Sequence, residues 1–115
     1  MLKLQNHLIG VDHGDVLLFS DFENGGVMWN SVGARQTCLY IEFSEIFSNA
    51  LIVQVNLSMW DIASFANARV DVRADEIQKD GYVIVFQTWG DTRIARVRVA
   101  WQAIGELSEA DNWEL

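Results

Sequence analysis

The strongest constraint on this chain is a period of two. The stretch LIVQVNLSMW (51–60) sets Leu51, Val53, Val55, Leu57 and Met59 on one side and Gln54, Asn56 and Ser58 on the other. An extended strand, whose successive side chains point to opposite faces, turns that pattern into one apolar and one polar surface. ARVDVRAD (68–75) repeats it, with Ala68, Val70, Val72 and Ala74 expected inward and Arg69, Asp71, Arg73 and Asp75 outward. Half-buried antiparallel strands follow from both segments.

Further strands read the same way. GDVLLFSDF (14–22) is a short strand ahead of a turn at ENGGV (23–27), where the glycine pair suits a turn better than a phosphate cradle. TCLYIEFS (37–44) is the next, with Cys38 or Leu39 inward according to register. Leu39, Phe43, Ile46, Phe47 and Ala50 also lie near helical spacing, so a helix over 39–50 is the alternative there. YVIVFQTW (82–89) follows the Lys79-Asp80-Gly81 corner and is apolar on both faces up to Gln87. A central strand has that character, as does one whose outer face another subunit covers.

RIARVRVAWQAI (93–104) puts Ala95, Val97, Val99, Trp101 and Ala103 on one face and Ile94, Arg96, Arg98, Ala100, Gln102 and Ile104 on the other. No segment patterns as a helix of three turns, and proline is absent. About six strands with short late connections predict an all-β chain, a small antiparallel sandwich or a barrel.

Composition narrows the function classes. A chain of 115 residues supports one hydrophobic core. Sixteen acids against eight bases give a net charge of -8, the wrong sign for nucleic acid or an anionic membrane surface. The single Cys38 excludes an internal disulfide framework, and His7 and His13 have no zinc spacing with it. The opening MLKLQNHLIG lacks a signal-peptide core, and no segment has the length of a membrane span. Ser44 with Glu45, or His13 with Asp12 and Asp15, can be drawn into a site on paper. Neither forms a nucleophile–base motif or a calcium loop, so no catalytic residue, metal or cofactor is expected.

Two features remain. Trp89 stands on a Gly90-Asp91-Thr92 corner, at the end of a sheet, where an indole beside short polar groups can wall a small-ligand site or cap the core. Arg96 and Arg98 share a face with Ile94, Ala100 and Ile104. Arginine's apolar stem and fixed fork of donors suit such a face to a subunit contact or to a solvated edge.

NARVDVRADEIQKDGYVIVFQTWGDTRIARVRVAWQAIG (67–105) resembles the H-type lectin domain, the sugar-binding family of the snail agglutinins, found also at the carboxy terminus of discoidins. The specific pieces are the R-x-x-x-R run ahead of a DG corner, the T-W-x-D/N-T corner and a strand ending W-x-A/S-I. The likeness extends back to MWNSVGARQTCLYIEF from near Trp29.

The resemblance implies a six-stranded antiparallel β-sandwich assembled into trimers or stacked hexamers, with glycans bound near the protomer interfaces. Carried over by position, Arg69 would donate to sugar hydroxyls and Trp89 would supply the apolar wall, with Asp91 beside it. The family's histidine falls on Gly90, its interface tyrosine on Ala95, and its sugar-binding aspartate on Val32, with Asn30 nearby. Losing that carboxylate removes a charge-assisted hydrogen bond worth about 1–3 kcal/mol.

The expectation is therefore a non-enzymatic, multivalent glycan-binding module of galactose or N-acetylgalactosamine type, acting in adhesion outside the cell or on a particle. The alternative is a trimeric structural or attachment protein on the same scaffold without a sugar. Residues 1–28 are expected as an amino-terminal segment able to reach a neighbour, 29–106 as the sandwich and 107–115 as an acidic tail.

Overall fold

A computed structural model describes residues 1–5, 7–48 and 51–108. These form six strands in two three-stranded antiparallel sheets. The strands are β1 (Ile9–Ser20), β2 (Arg35–Glu42), β3 (Leu51–Ile62), β4 (Val70–Asp75), β5 (Gly81–Thr88) and β6 (Ile94–Glu106). One sheet runs β1-β6-β3 and the other β2-β5-β4, a β-sandwich in which β5 and β6 are the central strands.

The alternation sorts the faces as the sequence predicts along β3, where Leu51 through Met59 alternate half-buried and exposed. In β2, Leu39 turns inward and Cys38 is exposed. Between the sheets, Tyr82, Ile84 and Phe86 of β5 meet Val97, Val99, Trp101 and Ala103 of β6. Phe43, Phe47, Tyr82 and Trp101 form an aromatic cluster with ring centroids 5.0–6.1 Å apart. The Tyr82 side chain is fully buried, and its hydroxyl has no hydrogen-bond partner among the described residues. Trp101 fits because Gly14 of β1 lacks a side chain: a Cβ there would stand 2.5 Å from the indole Nε1.

Several expectations change. Residues 9–20 belong to the sandwich, since β1 pairs with β6 from Ile9↔Glu106 to Ser20↔Arg96. The polar run Gly10, Asp12, His13 and Gly14 hides this strand from a hydrophobicity pattern. The stretch after β1 is two helical turns, Asp21–Asn24 and Val27–Asn30. The helix considered for 39–50 does not form: β2 runs to Glu42, and 43–48 are irregular. Ala68 is exposed and precedes β4. Ile94, expected on a subunit-facing side, is fully buried in the core. Its pairing explains this: Asp61 lies opposite Arg96 but Ile62 opposite Ile94, so Ala95 is the extra residue of a bulge that re-aims Ile94 inward. Of the acidic tail, 109–115 lie outside the described residues.

Candidate functional site

The strand register decides which loops meet. Ser20 and Asp61 both lie opposite Arg96, while Arg35 and Val70 both lie opposite Thr88. The connections 21–34, 63–69 and 89–93 therefore gather at one end of the sandwich. That end displays Phe22, Phe65 and Trp89, exposed by 61%, 74% and 43%, an unusual concentration of aromatic surface for loops.

The corner after β5 is locked by its two threonines. Thr88 and Thr92 are buried, so their hydroxyls must find partners inside the protein. Thr88 Oγ1 donates to the carbonyl of Arg69 at 2.5 Å. Thr92 Oγ1 donates to the carbonyl of Asn67 at 2.5 Å and accepts from the Arg69 N–H at 3.0 Å. Both backbone groups of Arg69 are thus held by side chains of the corner. Between the threonines, Asn67 Nδ2 donates to Asp91 Oδ1 at 3.2 Å. Gly90 adopts φ +70°, a left-handed conformation that glycine takes without a Cβ penalty. A Cβ added there would be 3.5 Å from Arg69 Cδ, so the arginine stem lies alongside the bare glycine. The structure accordingly brings Arg69, Trp89, Gly90 and Asp91 together.

Arg35 is the element that the sequence reading missed. Only 8% exposed, it donates from Nε to the carbonyl of Gly33 at 2.9 Å, from Nη1 to Met28 at 3.1 Å and from Nη2 to Gly90 at 3.4 Å. Gly33 N–H also donates to the Gly90 carbonyl at 2.8 Å. One guanidinium therefore staples the β1–β2 loop to the tryptophan corner, a task suited to a rigid fork of donors. Burial, and secondarily the positive charge of Arg93, lowers the Arg35 pKa from its ordinary value. Strand parity was the available signal: Arg35 shares the inward side of β2 with Thr37, Leu39 and Ile41.

Two hollows flank this end. A depression of about 290 Å³ is lined by Ala34, Arg35, Gln36, Gln87, Thr88 and Trp89. A larger one of about 370 Å³ lies by the other sheet, where Phe22 and Trp29 meet edge-to-face at 5.1 Å, and Asp61, Ala95 and Arg96 complete its wall.

The remaining sequence candidates belong to other elements than Arg69. Asn30 is exposed at the end of the second helical turn, with its amide beside Gly25, and Val32 is 66% exposed in the same loop. Arg96 and Arg98, half-exposed on the outer face of the β1-β6-β3 sheet, have partners within the chain: Asp61 at 3.3 Å and Asp15 at 4.0 Å. Ala95 is 6% exposed. Asp12 accepts the Ser44 N–H at 2.7 Å and its hydroxyl at 3.0 Å, an ordinary loop tie. Among the described residues, no group of three or more His, Cys, Asp or Glu is placed to hold a metal ion, and no helix is long and apolar enough to cross a membrane.

The sequence and the fold match known proteins. The family pattern of the H-type lectin domain matches residues 39–104, from within β2 through most of β6. The chain is 48% identical over 107 residues to a Fuscovulum blasticum protein called ATP synthase subunits region ORF 7, with 93% of each covered. Among solved structures, recombinant discoidin II of Dictyostelium discoideum superposes over 91% of this chain with a TM-score of 0.74 and 18% identity. Wild-type discoidin II does so over 87%, with a TM-score of 0.73 and the same identity. The chain spans 40% and 38% of those two discoidin chains, and at that identity the likeness is one of fold.

Proposed function

Because this chain belongs to the H-type lectin domain family, we propose that it is a non-enzymatic carbohydrate-binding module whose sugar site is the Trp89 corner. The observation that carries this reading is a 43% exposed indole at a corner where the Arg69 stem lies alongside the adjacent Gly90 and the buried Thr88 and Thr92 hold the Arg69 backbone on both sides. An indole face packs on the apolar side of a sugar ring, while a guanidinium and the Asp91 carboxylate address its hydroxyls. Fixing the groups beforehand reduces the ordering cost of binding. Galactose and N-acetylgalactosamine glycans are the first ligands to test. A shallow site of this kind gains useful strength by repetition, so the module acts as a trimer or hexamer in multivalent adhesion.

A glycan array probed with the wild-type chain and with Trp89→Ala and Arg69→Ala tests the site. Both variants are expected to lose the signal while keeping the β-sheet circular dichroism spectrum. Undiminished binding by both would exclude this corner.

Three positions favour a second reading, a trimeric attachment or structural protein without a sugar. Val32 replaces the family's carboxylate, Gly90 its histidine and Ala95 its interface tyrosine, and the buried Ala95 offers little to a neighbour. Under that reading a broad array stays blank for the wild type while the purified chain still has the mass of a trimer.

A further inference from the structure

We infer that the outer face of the β2-β5-β4 sheet extends the Trp89 corner into a second sugar subsite, so that the preferred ligand is a neutral linear oligosaccharide and not a single sugar. This rests on the carbohydrate-binding reading above and concerns residues outside the corner itself.

The placement comes from the register. Tyr82, Ile84, Phe86 and Thr88 of β5 face the core, so Gln87 lies on the outer face, two residues along the strand from Trp89. That step is about 6.7 Å, the length scale of one sugar ring. Gln36 and Asp71 are the cross-strand neighbours of Gln87, and Arg73 lies in the next row, opposite Val85.

These side chains are already joined. Arg73 Nη1 donates to Gln87 Oε1 at 2.8 Å and to Asp71 Oδ2 at 3.2 Å, and Gln87 Nε2 donates to Gln36 Oε1 at 2.7 Å. Two amides and a guanidinium thus cross the sheet in a connected line, one row from the indole. The 290 Å³ depression lies between that line and Trp89, lined by residues of both. Amides offer donors and acceptors together, which is what sugar hydroxyls require. Their mutual hydrogen bonds hold them in place before a ligand arrives, which lowers the cost of ordering them.

Charge selects among glycans. Asp71 balances Arg73 directly, so the line is close to neutral, and the chain as a whole carries -8. A neutral chain of sugars meets no repulsion here, whereas a sialylated or sulfated one meets an unfavourable field and no free cationic partner in the line.

Calorimetric titration of the full chain with the methyl glycoside of N-acetylgalactosamine, and with a neutral linear tetrasaccharide ending in that sugar, tests the subsite. The tetrasaccharide is expected to bind about tenfold more tightly, the equivalent of roughly one or two net hydrogen bonds. Gln87→Ala and, separately, Gln36→Ala should erase that advantage while leaving monosaccharide affinity and the melting temperature unchanged. Equal binding of the two probes by the wild type, or an advantage that survives both substitutions, overturns the subsite. Tighter binding of a sialylated tetrasaccharide also overturns it. Binding of neither probe, nor of their galactose counterparts, overturns the carbohydrate reading and the subsite with it.

Discussion

Gly33 donates its backbone N–H to the carbonyl of Gly90 at 2.8 Å, and so joins the β1–β2 loop to the corner that presents Trp89. The same carbonyl lies 3.4 Å from Nη2 of the buried Arg35. Replacing Arg35 by methionine keeps much of the volume but strips partners from the carbonyls of Met28 and Gly33. The expected loss is about 3 kcal/mol, in the range for buried polar groups left without partners. Arg35→Lys should recover part of it at most, because one ammonium cannot reproduce a planar fork. Denaturant unfolding measures both, and glycan binding should fall with them at temperatures where the chain remains folded.

Gly90 makes a separate prediction. At φ +70°, any side chain forces a conformation that costs about 1 kcal/mol or more. The nearest atoms to an added Cβ are 3.5 Å away, so there is room for it. Gly90→Ala should therefore fold with a modestly lowered melting temperature, and a variant as stable as the wild type would contradict the corner geometry.

The phenol of Tyr82 gives the chain a pH dependence. Burial, and secondarily the negative charge of Asp12, raises its pKa above the ordinary tyrosine value of about 10. Above that pH the unfolded chain releases a proton that the folded chain retains. The unfolded state then binds fewer protons, so stability falls as pH rises beyond about 10 and is insensitive to this group below it. Tyr82→Phe should remove that alkaline loss. It should also stabilise the protein near pH 7 by about 1 kcal/mol, because a buried hydroxyl without a partner disappears. Thermal melts at pH 7 and pH 10.5 check both parts.

Arg96 and Arg98 separate stability from assembly. Their pairs with Asp61 and Asp15 are half-exposed, and such pairs contribute about 0–1 kcal/mol. Arg96→Ala and Arg98→Ala should leave the melting temperature of the protomer nearly unchanged. Light scattering should show a trimeric wild type, and a reduced mass for the variants would mark this face as a subunit contact, an unchanged mass as a solvated one. A monomeric wild type counts against the oligomer.

What could be read from the sequence follows from what alternation reports. β3 and β5 were legible to within two residues because β3 alternates cleanly between half-buried and exposed positions, while β5, a central strand, is buried or half-buried along its whole length. β1 was half visible, since its inward side includes Gly10, Asp12 and Gly14, chosen for close approach and a loop tie and not for apolar burial. Inward parity carried through Ala68 because nothing in the sequence says that threonine hydroxyls, in place of a strand ladder, hold Arg69. Ile94 was misplaced by a bulge, which shifts phase by one residue and leaves no mark on composition. Trp89, Gly90 and Asp91 could be named from the corner itself. For the Arg35 staple only the inward parity of the residue was visible; its partners were not, because they are backbone carbonyls of Gly33, Met28 and the distant Gly90, and every residue has a carbonyl.

Ile9 stands opposite Glu106, so the first strand in chain order begins, and the last finishes, at the pole farthest from Trp89. Any tether joined ahead of β1 or behind β6 would leave from that pole. Anchored there, on a bead, a particle or a larger polypeptide, the molecule would stand upright with its aromatic crown directed away from its support. Immobilisation through either flank should preserve access to the crown, whereas a linker spliced into 63–69 would shade it.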